Sequence, residues 1–429
     1  MKGENLIENG DFSKGNIGEM PDGWQIVCPN PALSPIFQMA KLGNGKSLMA
    51  EGNGRQECFG YVRRSVKLEQ SKTYCMRVRL KIESIDDLNR NAVHGIFGSF
   101  NDGIFEYEKD GEWIIGENRF DSPDKLGDTE IRLYFRFSAH GKIFWDDVSI
   151  KECEPIAPRH VKIAVSWGTG DMGHWSKWLD YAGEHGVDLA LLPEMFNNKG
   201  VKDAELIDGE TGTFLSDKAR QWNMLVSASF YEKRGDIALN SAPLYDRKGN
   251  LVGIYSKNQL YDPEEDEGAT PGVGFPVFDT DIGKIGIIIC YDSWFSEPVR
   301  LLAYKGAELI LFPNAGYYMS LMPARTADNG VWMAVSSLNC PAGIWDSGGN
   351  RAGEEQPEPT VYVPSSIIDY EKNDLMRMVT ATVDMSKRLS PHWWGGPMRS
   401  APGGRRNRQT LIVPIEEEIA KEAKRWWKE

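Results

Sequence analysis

Residues 284–292 read Lys-Ile-Gly-Ile-Ile-Ile-Cys-Tyr-Asp, and this stretch decides the fold. A short apolar run that is followed by polar residues is typical of a strand buried on both faces. Cys290 stands where the strand ends and a turn begins, so backbone N–H groups can point at its sulfur and stabilise a thiolate. A lone cysteine is more often an inert buried residue, so other groups have to support a chemical role.

Two more strand ends carry groups that could act with this thiol. Glu194 directly follows the apolar run that ends Leu-Leu-Pro, and Lys257 follows Tyr-Ser at the end of a predicted hairpin strand. Sites in open sheets gather at the carboxyl ends of strands, so Glu194, Lys257 and Cys290 can converge. A lysine beside the thiol would lower the pKa of the thiol, and a partly buried glutamate could take its proton. Solvated charges at strand ends fit these residues equally well.

The histidines argue against the commoner catalytic arrangements. None of the six stands at the end of a strand among polar residues, apart from His392. A Cys–His dyad and a Ser–His–Asp triad are therefore poorly supported, and no HxxxH or HxH pair suggests zinc. A group other than histidine is expected to activate Cys290.

The chain divides into two kinds of sequence. Residues 1–153 show short alternating strands with frequent turns, which predicts a β-sandwich. Residues 154–159 contain two prolines and are typical of a stiff linker. From 160 to 429, near-continuous apolar strands alternate with helices, which predicts sheets covered by helices. The predicted helices include 173–184, 213–223 and an amphipathic C-terminal helix over 415–427.

Composition excludes two classes of partner. The 429 residues carry a net charge of −13, and the one basic cluster is Arg405, Arg406 and Arg408, so a nucleic-acid footprint is missing. No stretch approaches the roughly 18 apolar residues that span a bilayer, so no membrane contact is expected. The first nine residues lack an apolar signal region. This indicates a cytoplasmic protein, or an extracytoplasmic one if a leader was trimmed.

Three segments resemble the signature segments of the nitrilase, or carbon–nitrogen hydrolase, superfamily. They are 191–194 (Leu-Leu-Pro-Glu), 255–257 (Tyr-Ser-Lys) and 289–292 (Ile-Cys-Tyr-Asp), in that order and with catalytic spacings of 63 and 33 residues. The segments 307–315 and 325–330 are also similar to family segments. The resemblance implies an αββα sandwich that pairs into a homodimer or larger homo-oligomer. It also implies that Cys290 is the nucleophile, Glu194 the general base and Lys257 the oxyanion stabiliser, with a thioester intermediate and no metal or organic cofactor.

The resemblance leaves the other site residues less defined. A fourth catalytic residue is expected at Glu264, with Glu265 and Glu267 as alternatives. Tyr-Asp after the nucleophile, where nitrilases have Trp-Glu, favours a small amide or N-carbamoyl substrate over a nitrile. Three residues are predicted to border the substrate, although helix-start polarity and core packing explain them equally well: Asp292, Trp294 and Asn314. Trp393 and Trp394 are expected either in an aromatic wall or in dimer packing.

The first 150 residues resemble carbohydrate-binding-module-like jelly rolls. The similar segments are 5–12, 22–24 and 143–150. Such modules bind glycans by stacking sugars on exposed aromatic rings, here Trp113 or Tyr107, or serve as structural partners. The alternative function is thus a glycan-binding or scaffolding protein with a dormant hydrolase domain. The presence of all three triad residues argues against dormancy.

Overall fold

The structure is a computed structural model that describes residues 3–85, 94–97, 102–104, 107–122, 126–354 and 366–386. The predicted C-terminal helix, the Trp393–Trp394 wall and the arginine cluster at 405–408 lie outside these residues. The described residues form two compact units that divide between Ala157 and Pro158. Among them, no helix combines the length and the apolar character that crossing a bilayer requires.

The first unit consists of two antiparallel sheets with one shared core. Its described strands are β1 (Gln25–Val27), β2 (Ile36–Leu42), β3 (Gly45–Glu51), β4 (Phe59–Ser65), β5 (Thr73–Glu83), β6 (His94–Phe97), β7 (Asp102–Ile104), β8 (Tyr107–Asp110), β9 (Trp113–Asp121), β10 (Glu130–Arg136) and β11 (Lys142–Glu152). One sheet has the order β1-β4-β10-β6-β7, and the other β2-β3-β11-β5-β9-β8. Alternate residues face the core, as Ile131, Leu133 and Phe135 do along β10. The jelly-roll assignment stays a prediction.

The second unit alternates strands with helices. Its described strands are β12 (His160–Ser166), β13 (Leu189–Leu191), β14 (Leu225–Ser227), β15 (Phe230–Arg234), β16 (Ile237–Tyr245), β17 (Leu251–Ser256), β18 (Val277–Thr280), β19 (Gly283–Ile287), β20 (Leu309–Asn314), β21 (Trp332–Ser337), β22 (Gly343–Trp345), β23 (Ile367–Asn373) and β24 (Met378–Asp384). Its described helices are α1 (Met172–Glu184), α2 (Glu210–Trp222), α3 (Asp262–Asp266), α4 (Glu297–Tyr304) and α5 (Leu321–Asn329). The first sheet has the order β15-β16-β14-β13-β12-β24-β23 with β17 on β16, and the second β18-β19-β20-β21-β22.

Four layers follow from which strand residues face which way. Alternate apolar residues of the two sheets, such as Ile163 and Leu191 on one and Ile287 and Leu311 on the other, share one inner core. The outer face of the first sheet packs on α1 and α2, and that of the second sheet on α4 and α5. Both faces of each sheet are therefore apolar, which explains the near-continuous apolar runs. The layers are helices, sheet, sheet, helices, the order expected for this part of the chain.

The carboxyl ends of the central parallel strands are joined across the two sheets. Ser336 on β21 donates its hydroxyl to Leu191 O on β13 at 2.6 Å and accepts the N–H of Ser166 on β12 at 2.9 Å. Gly168 donates its N–H to Ser337 O at 2.9 Å close by. These hydrogen bonds fix the end of β13, which leads into Glu194, against the second sheet.

Ser336→Ala should lower the free energy of unfolding of the second unit by about 1–3 kcal/mol, because the buried Ser166 N–H loses its acceptor and the Leu191 carbonyl loses the shorter of two hydroxyl donors. The measurement is the urea dependence of hydrogen exchange in the peptide 284–294. Ser320→Ala is the matched control, since Ser320 is exposed and its side chain makes no cap hydrogen bond. A loss no larger than that of the control would show that the sheets are not joined through this hydroxyl.

Candidate active site

Three predicted catalytic residues follow strands that end at one edge of the second unit. Glu194 comes three residues after β13, Lys257 immediately after β17, and Cys290 opens a 3₁₀ turn, Cys290–Trp294, after β19. The side chains of Glu194 and Lys257 are each 1% exposed, whereas Cys290 is only partly buried. Two charged groups thus lie inside the protein beside a partly buried thiol.

Lys257 lies between two carboxylates. Its Nζ donates to Glu194 Oε1 at 3.0 Å and to Glu264 Oε2. Burial on its own lowers the pKa of Lys257, but the charges of Glu194, the Cys290 thiolate form and Glu264 outweigh it, so the pKa lies above its ordinary value. Lys257 therefore stays an ammonium ion at neutral pH.

Two further side chains complete this network. Asn240 donates through Nδ2 to Glu194 Oε1 at 2.8 Å and to Glu264 Oε1 at 2.9 Å, and the Tyr231 hydroxyl donates to Glu264 Oε1 at 3.2 Å. Among the described residues, no N–H or O–H group donates to the buried Oε2 of Glu194. That oxygen can accept a proton without losing a hydrogen bond.

The Cys290 thiol is harder to ionise than the sequence suggested. Burial and the neighbouring Glu194 raise its pKa to about 12, although Lys257 and the Ala315 N–H act in the opposite direction. Lys257 does lower the thiol pKa, as predicted, but burial and the Glu194 carboxylate outweigh the ammonium, so the net pKa is raised. At neutral pH the sulfur is protonated and needs a base to become a nucleophile.

The backbone at Cys290 is strained. Its φ is +42°, in the left-handed region that non-glycine residues rarely adopt. Such a conformation costs on the order of 1–3 kcal/mol and persists where the surroundings enforce it, often at active sites. A sharp turn directly after a buried strand holds the sulfur at its tip, as in other nucleophile turns.

Comparison with known proteins identifies the family. The sequence model of the carbon-nitrogen hydrolase family matches residues 161–371. A nitrilase of Pyrococcus abyssi is 31% identical over 218 residues, which are 48% of this chain and 77% of that protein. The chain belongs to the carbon–nitrogen hydrolase family. It is accordingly an amidase-type hydrolase of carbon–nitrogen bonds.

Two other relatives of this carbon–nitrogen hydrolase are similar over shorter stretches. A citrullinase of Francisella tularensis is 40% identical over 148 residues, 31% of this chain and 52% of the citrullinase. An omega-amidase of Xenopus laevis is 32% identical over 182 residues, 38% of this chain and 66% of the omega-amidase. The chain thus spans about half the length of the first and two thirds of the second.

Among the three candidate acids after Lys257, only Glu264 reaches the buried network. It is 8% exposed and accepts from Lys257, whereas Glu265 and Glu267 are exposed. Glu264 lies on the short helix α3, which directs its side chain inward. Glu264 also accepts the N–H of Tyr261, the residue that precedes α3, at 3.1 Å. The preference for Glu264 therefore has a geometric basis.

Asp292, predicted to border the substrate, faces the protein interior. It is fully buried and accepts three hydrogen bonds, from the Tyr255 hydroxyl at 2.7 Å, the Ile289 N–H at 2.9 Å and the Gln259 N–H at 3.0 Å. Tyr255 and Gln259 lie two residues on either side of Lys257, and Ile289 precedes Cys290. We interpret Asp292 as a positioning residue, whose hydrogen bonds hold the residues around Lys257 against the turn that begins at Cys290.

The other two predicted substrate-binding residues differ in exposure. Asn314 is fully buried, and its Nδ2 donates to Ser336 O at 2.9 Å and Phe312 O at 3.2 Å. Trp294 is 49% exposed and ends the 3₁₀ turn that Cys290 begins. We interpret Asn314 as a positioning residue and keep Trp294 as a residue that substrate can touch.

Sequence reasoning missed Asn240 and Tyr231. Asn240 was visible as an amide within the apolar strand β16, where an unpaired polar group would be unfavourable. Tyr231 gave no such signal, because a tyrosine on a strand is usually a packing residue.

The two aromatic residues proposed for sugar stacking in the first unit are engaged within the protein. The Arg79 guanidinium covers the Trp113 ring at 4.2 Å from its centroid, and the Tyr107 hydroxyl donates to Ile104 O at 3.3 Å. A polar cavity of about 990 Å³ in the same unit is lined by Arg63, Arg64, Lys67 and Glu130, among others.

Asp292→Asn should lower kcat by about 10–100-fold, because one amide oxygen cannot accept three hydrogen bonds and the lysine strand shifts from the thiol. Burial raises the pKa of Asp292 to about 6. Protonation below that pH removes acceptor capacity, so wild-type kcat should fall there, and this acidic limb should be missing in Asp292→Asn. The measurement is kcat from pH 4.5 to 8, with Asp374→Asn, an exposed position, as control. An unchanged kcat in Asp292→Asn would show that Asp292 is not needed to hold Lys257 in position beside Cys290.

Proposed function

We propose that the enzyme cleaves a non-peptide amide or N-carbamoyl C–N bond through a thioester on Cys290. The observation that carries this proposal is the buried Lys257 ammonium held by Glu194 and Glu264 beside the thiol. The arrangement supplies a nucleophile, a proton acceptor and a fixed positive charge within one opening. These are the groups that acyl transfer from an amide requires.

The raised thiol pKa supports Glu194 as the general base. As the sulfur attacks the carbonyl carbon, the S–H proton passes to the carboxylate, and the oxygen gains the negative charge that the Lys257 ammonium stabilises. When the C–N bond breaks, the nitrogen takes the proton from Glu194 and leaves as ammonia or an amine. The carbonyl carbon stays bound to sulfur as a thioester.

Hydrolysis of the thioester uses the same groups in reverse. Glu194 takes a proton from a water molecule, whose oxygen attacks the thioester carbon. The C–S bond breaks, the proton returns to the sulfur, and the carboxylic acid leaves. The sum is one amide and one water converted to one acid and one ammonia or amine, with the enzyme restored.

Glu264 acts through Lys257 in this scheme. Its described contacts are with Lys257, Asn240, Tyr231 and the Tyr261 N–H. We therefore assign it a positioning role, which keeps Lys257 charged and fixed. The sequence-based prediction grouped Glu264 with the catalytic residues.

The relatives support an amide or ureido substrate, since an omega-amidase and a citrullinase are among them. The expected homo-oligomer stays a prediction, which light scattering checks. The glycan or structural role of the first unit also stays a prediction.

Cys290→Ala should reduce turnover by at least about 10⁴-fold, because no other group can form the thioester. Alanine fits a φ of +42° no worse than cysteine, so the fold should persist. The measurement is ammonia release from ω-amides, N-carbamoyl amines and nitriles, together with the intact mass of the protein during turnover. An amide or N-carbamoyl compound should be hydrolysed, and an acyl adduct should appear on wild type only.

Glu371→Gln is the control, since Glu371 is an exposed carboxylate of the same unit. Retained hydrolysis in Cys290→Ala would rule out covalent catalysis at this residue. A wild-type protein that turns over no compound and forms no adduct would favour the dormant scaffold.

A further inference from the structure

An arc of aromatic side chains lies alongside the nucleophile. Its members, here called the aromatic rim, come from three segments: Tyr261, Tyr291, Trp294, Phe295 and Tyr318. The rings form a chain in which Tyr261 lies 5.7 Å from Tyr291, Tyr291 6.0 Å from Trp294, and Trp294 4.8 Å from Tyr318, centroid to centroid.

Both ends of the aromatic rim are anchored at the catalytic groups. The Tyr261 N–H donates to Glu264 Oε2, which also accepts from Lys257. Tyr318 comes two residues after Gly316, whose carbonyl oxygen lies 3.9 Å from Cys290 Sγ. The two ends of the aromatic rim thus lie on the segments that contact Lys257 and Cys290.

The aromatic rim is exposed although its members are large and apolar. Tyr261 is 54% exposed, Trp294 49%, Phe295 38% and Tyr318 56%. Contiguous exposed aromatic groups are uncommon on proteins and mark surfaces that bind something. Their π faces attract cations, which gives them a preference beyond simple apolar contact.

The segments that carry the aromatic rim are negatively charged. Residues 258–275, 290–299 and 314–324 contain seven acidic residues and no lysine, arginine or histidine. Two of the seven, Glu264 and Asp292, are buried in the hydrogen bonds described above. The other five are exposed and form no ion pair with a described residue: Asp262, Glu265, Asp266, Glu267 and Glu297.

Two cations in or next to the neighbouring helix α4 have other contacts. Lys305, the residue that follows α4, donates to Phe275 O at 2.7 Å, at the far end of the first segment from Tyr261. Arg300 on α4 has its guanidinium 6.0 Å from the centroid of the Tyr304 ring. Within the described residues of the three segments, aromatic side chains thus occur together with an excess of carboxylates.

We propose that the substrate carries a cationic group, an ammonium or guanidinium, separated by a short chain from the C–N bond that is cleaved. The cation lies on the faces of the aromatic rim and is attracted by the exposed carboxylates, while the amide or ureido carbon reaches Cys290. This inference rests on the proposed function and adds the charge class of the substrate to it.

The test compares substrates that differ only at the far end of the chain. The first set is 6-aminohexanamide, heptanamide and the carboxylate adipamate, and the second is (5-aminopentyl)urea against hexylurea. We expect kcat/KM for each ammonium compound to exceed that of its methyl counterpart by about tenfold or more, and adipamate to be the poorest amide. The preference should shrink as the salt concentration rises.

Variants assign the preference to the aromatic rim and its acids. Trp294→Ala, Tyr318→Ala and the double variant Glu265→Gln/Asp266→Asn should each bring the ammonium-to-methyl ratio closer to one. Leu375→Ala is the control for removing an exposed apolar side chain, since Leu375 is 93% exposed and lies outside the three segments. Its ratio should equal that of wild type.

The outcomes separate this inference from the function on which it rests. Hydrolysis of heptanamide at Cys290 without an ammonium preference, or with adipamate preferred, overturns the cationic substrate and leaves the amidase mechanism standing. Failure to hydrolyse any compound, with no adduct at Cys290, overturns both. Calorimetric binding to Cys290→Ala gives a readout without chemistry, and 6-aminohexanamide should bind about tenfold more tightly than heptanamide.

Discussion

The site depends on one buried ammonium ion shared by two carboxylates. Lys257 and Glu194 are each 1% exposed, and Glu264 is 10% exposed in its side chain. Removing ions from water is unfavourable unless the partners are close and the remaining lone pairs are satisfied. Asn240 and Tyr231 donate such hydrogen bonds to Glu264 and to one oxygen of Glu194, while Oε2 of Glu194 accepts none from the described N–H and O–H groups. Three separate strand ends must therefore meet in one place, and the sheets must hold them there.

This charge arrangement explains why the Cys290 side chain rests as a thiol. The ammonium alone would favour the thiolate, but burial and the carboxylate of Glu194 oppose it more strongly, so the pKa of Cys290 rises to about 12. In the proposed mechanism the proton therefore leaves during the attack itself, and the Oε2 of Glu194 is available to receive it. The proposal couples proton transfer to bond formation because the same groups set the thiol pKa and bind the proton.

Much of the second unit could be predicted because its strands are buried on both faces and end abruptly in polar residues. That pattern predicted sheets covered by helices and the three strand ends that carry Glu194, Lys257 and Cys290, and the family resemblance implied the four layers. Residues 224–230 have the apolar pattern of a single strand, but the structure divides them between β14 and β15. The helix predicted from residue 213 begins at Glu210, since Gly212 gave no periodic signal.

Side-chain direction was the part that sequence could not supply. Asp292 follows the nucleophile by two residues, and the left-handed backbone at Cys290 turns that carboxylate inward rather than toward the opening. The net direction of the Cys290 pKa shift also depends on how deeply the thiol is buried and how close Glu194 and Lys257 lie to it, which the sequence does not give. The partners of Glu264 likewise depended on contacts between segments that are far apart in the chain.

The most direct test of this account is the stability of Lys257→Met at pH 8. Removing the ammonium leaves two buried carboxylates without a cation, which should lower the free energy of unfolding by about 3–5 kcal/mol. The double variant Lys257→Met/Glu264→Gln should recover most of that loss, since one of the two charges is gone, while activity stays absent in both. Hydrogen exchange of the peptide 284–294 in urea measures this for the second unit. If Lys257→Met is as stable as wild type, or if the second substitution recovers nothing, the buried ammonium does not hold the site together.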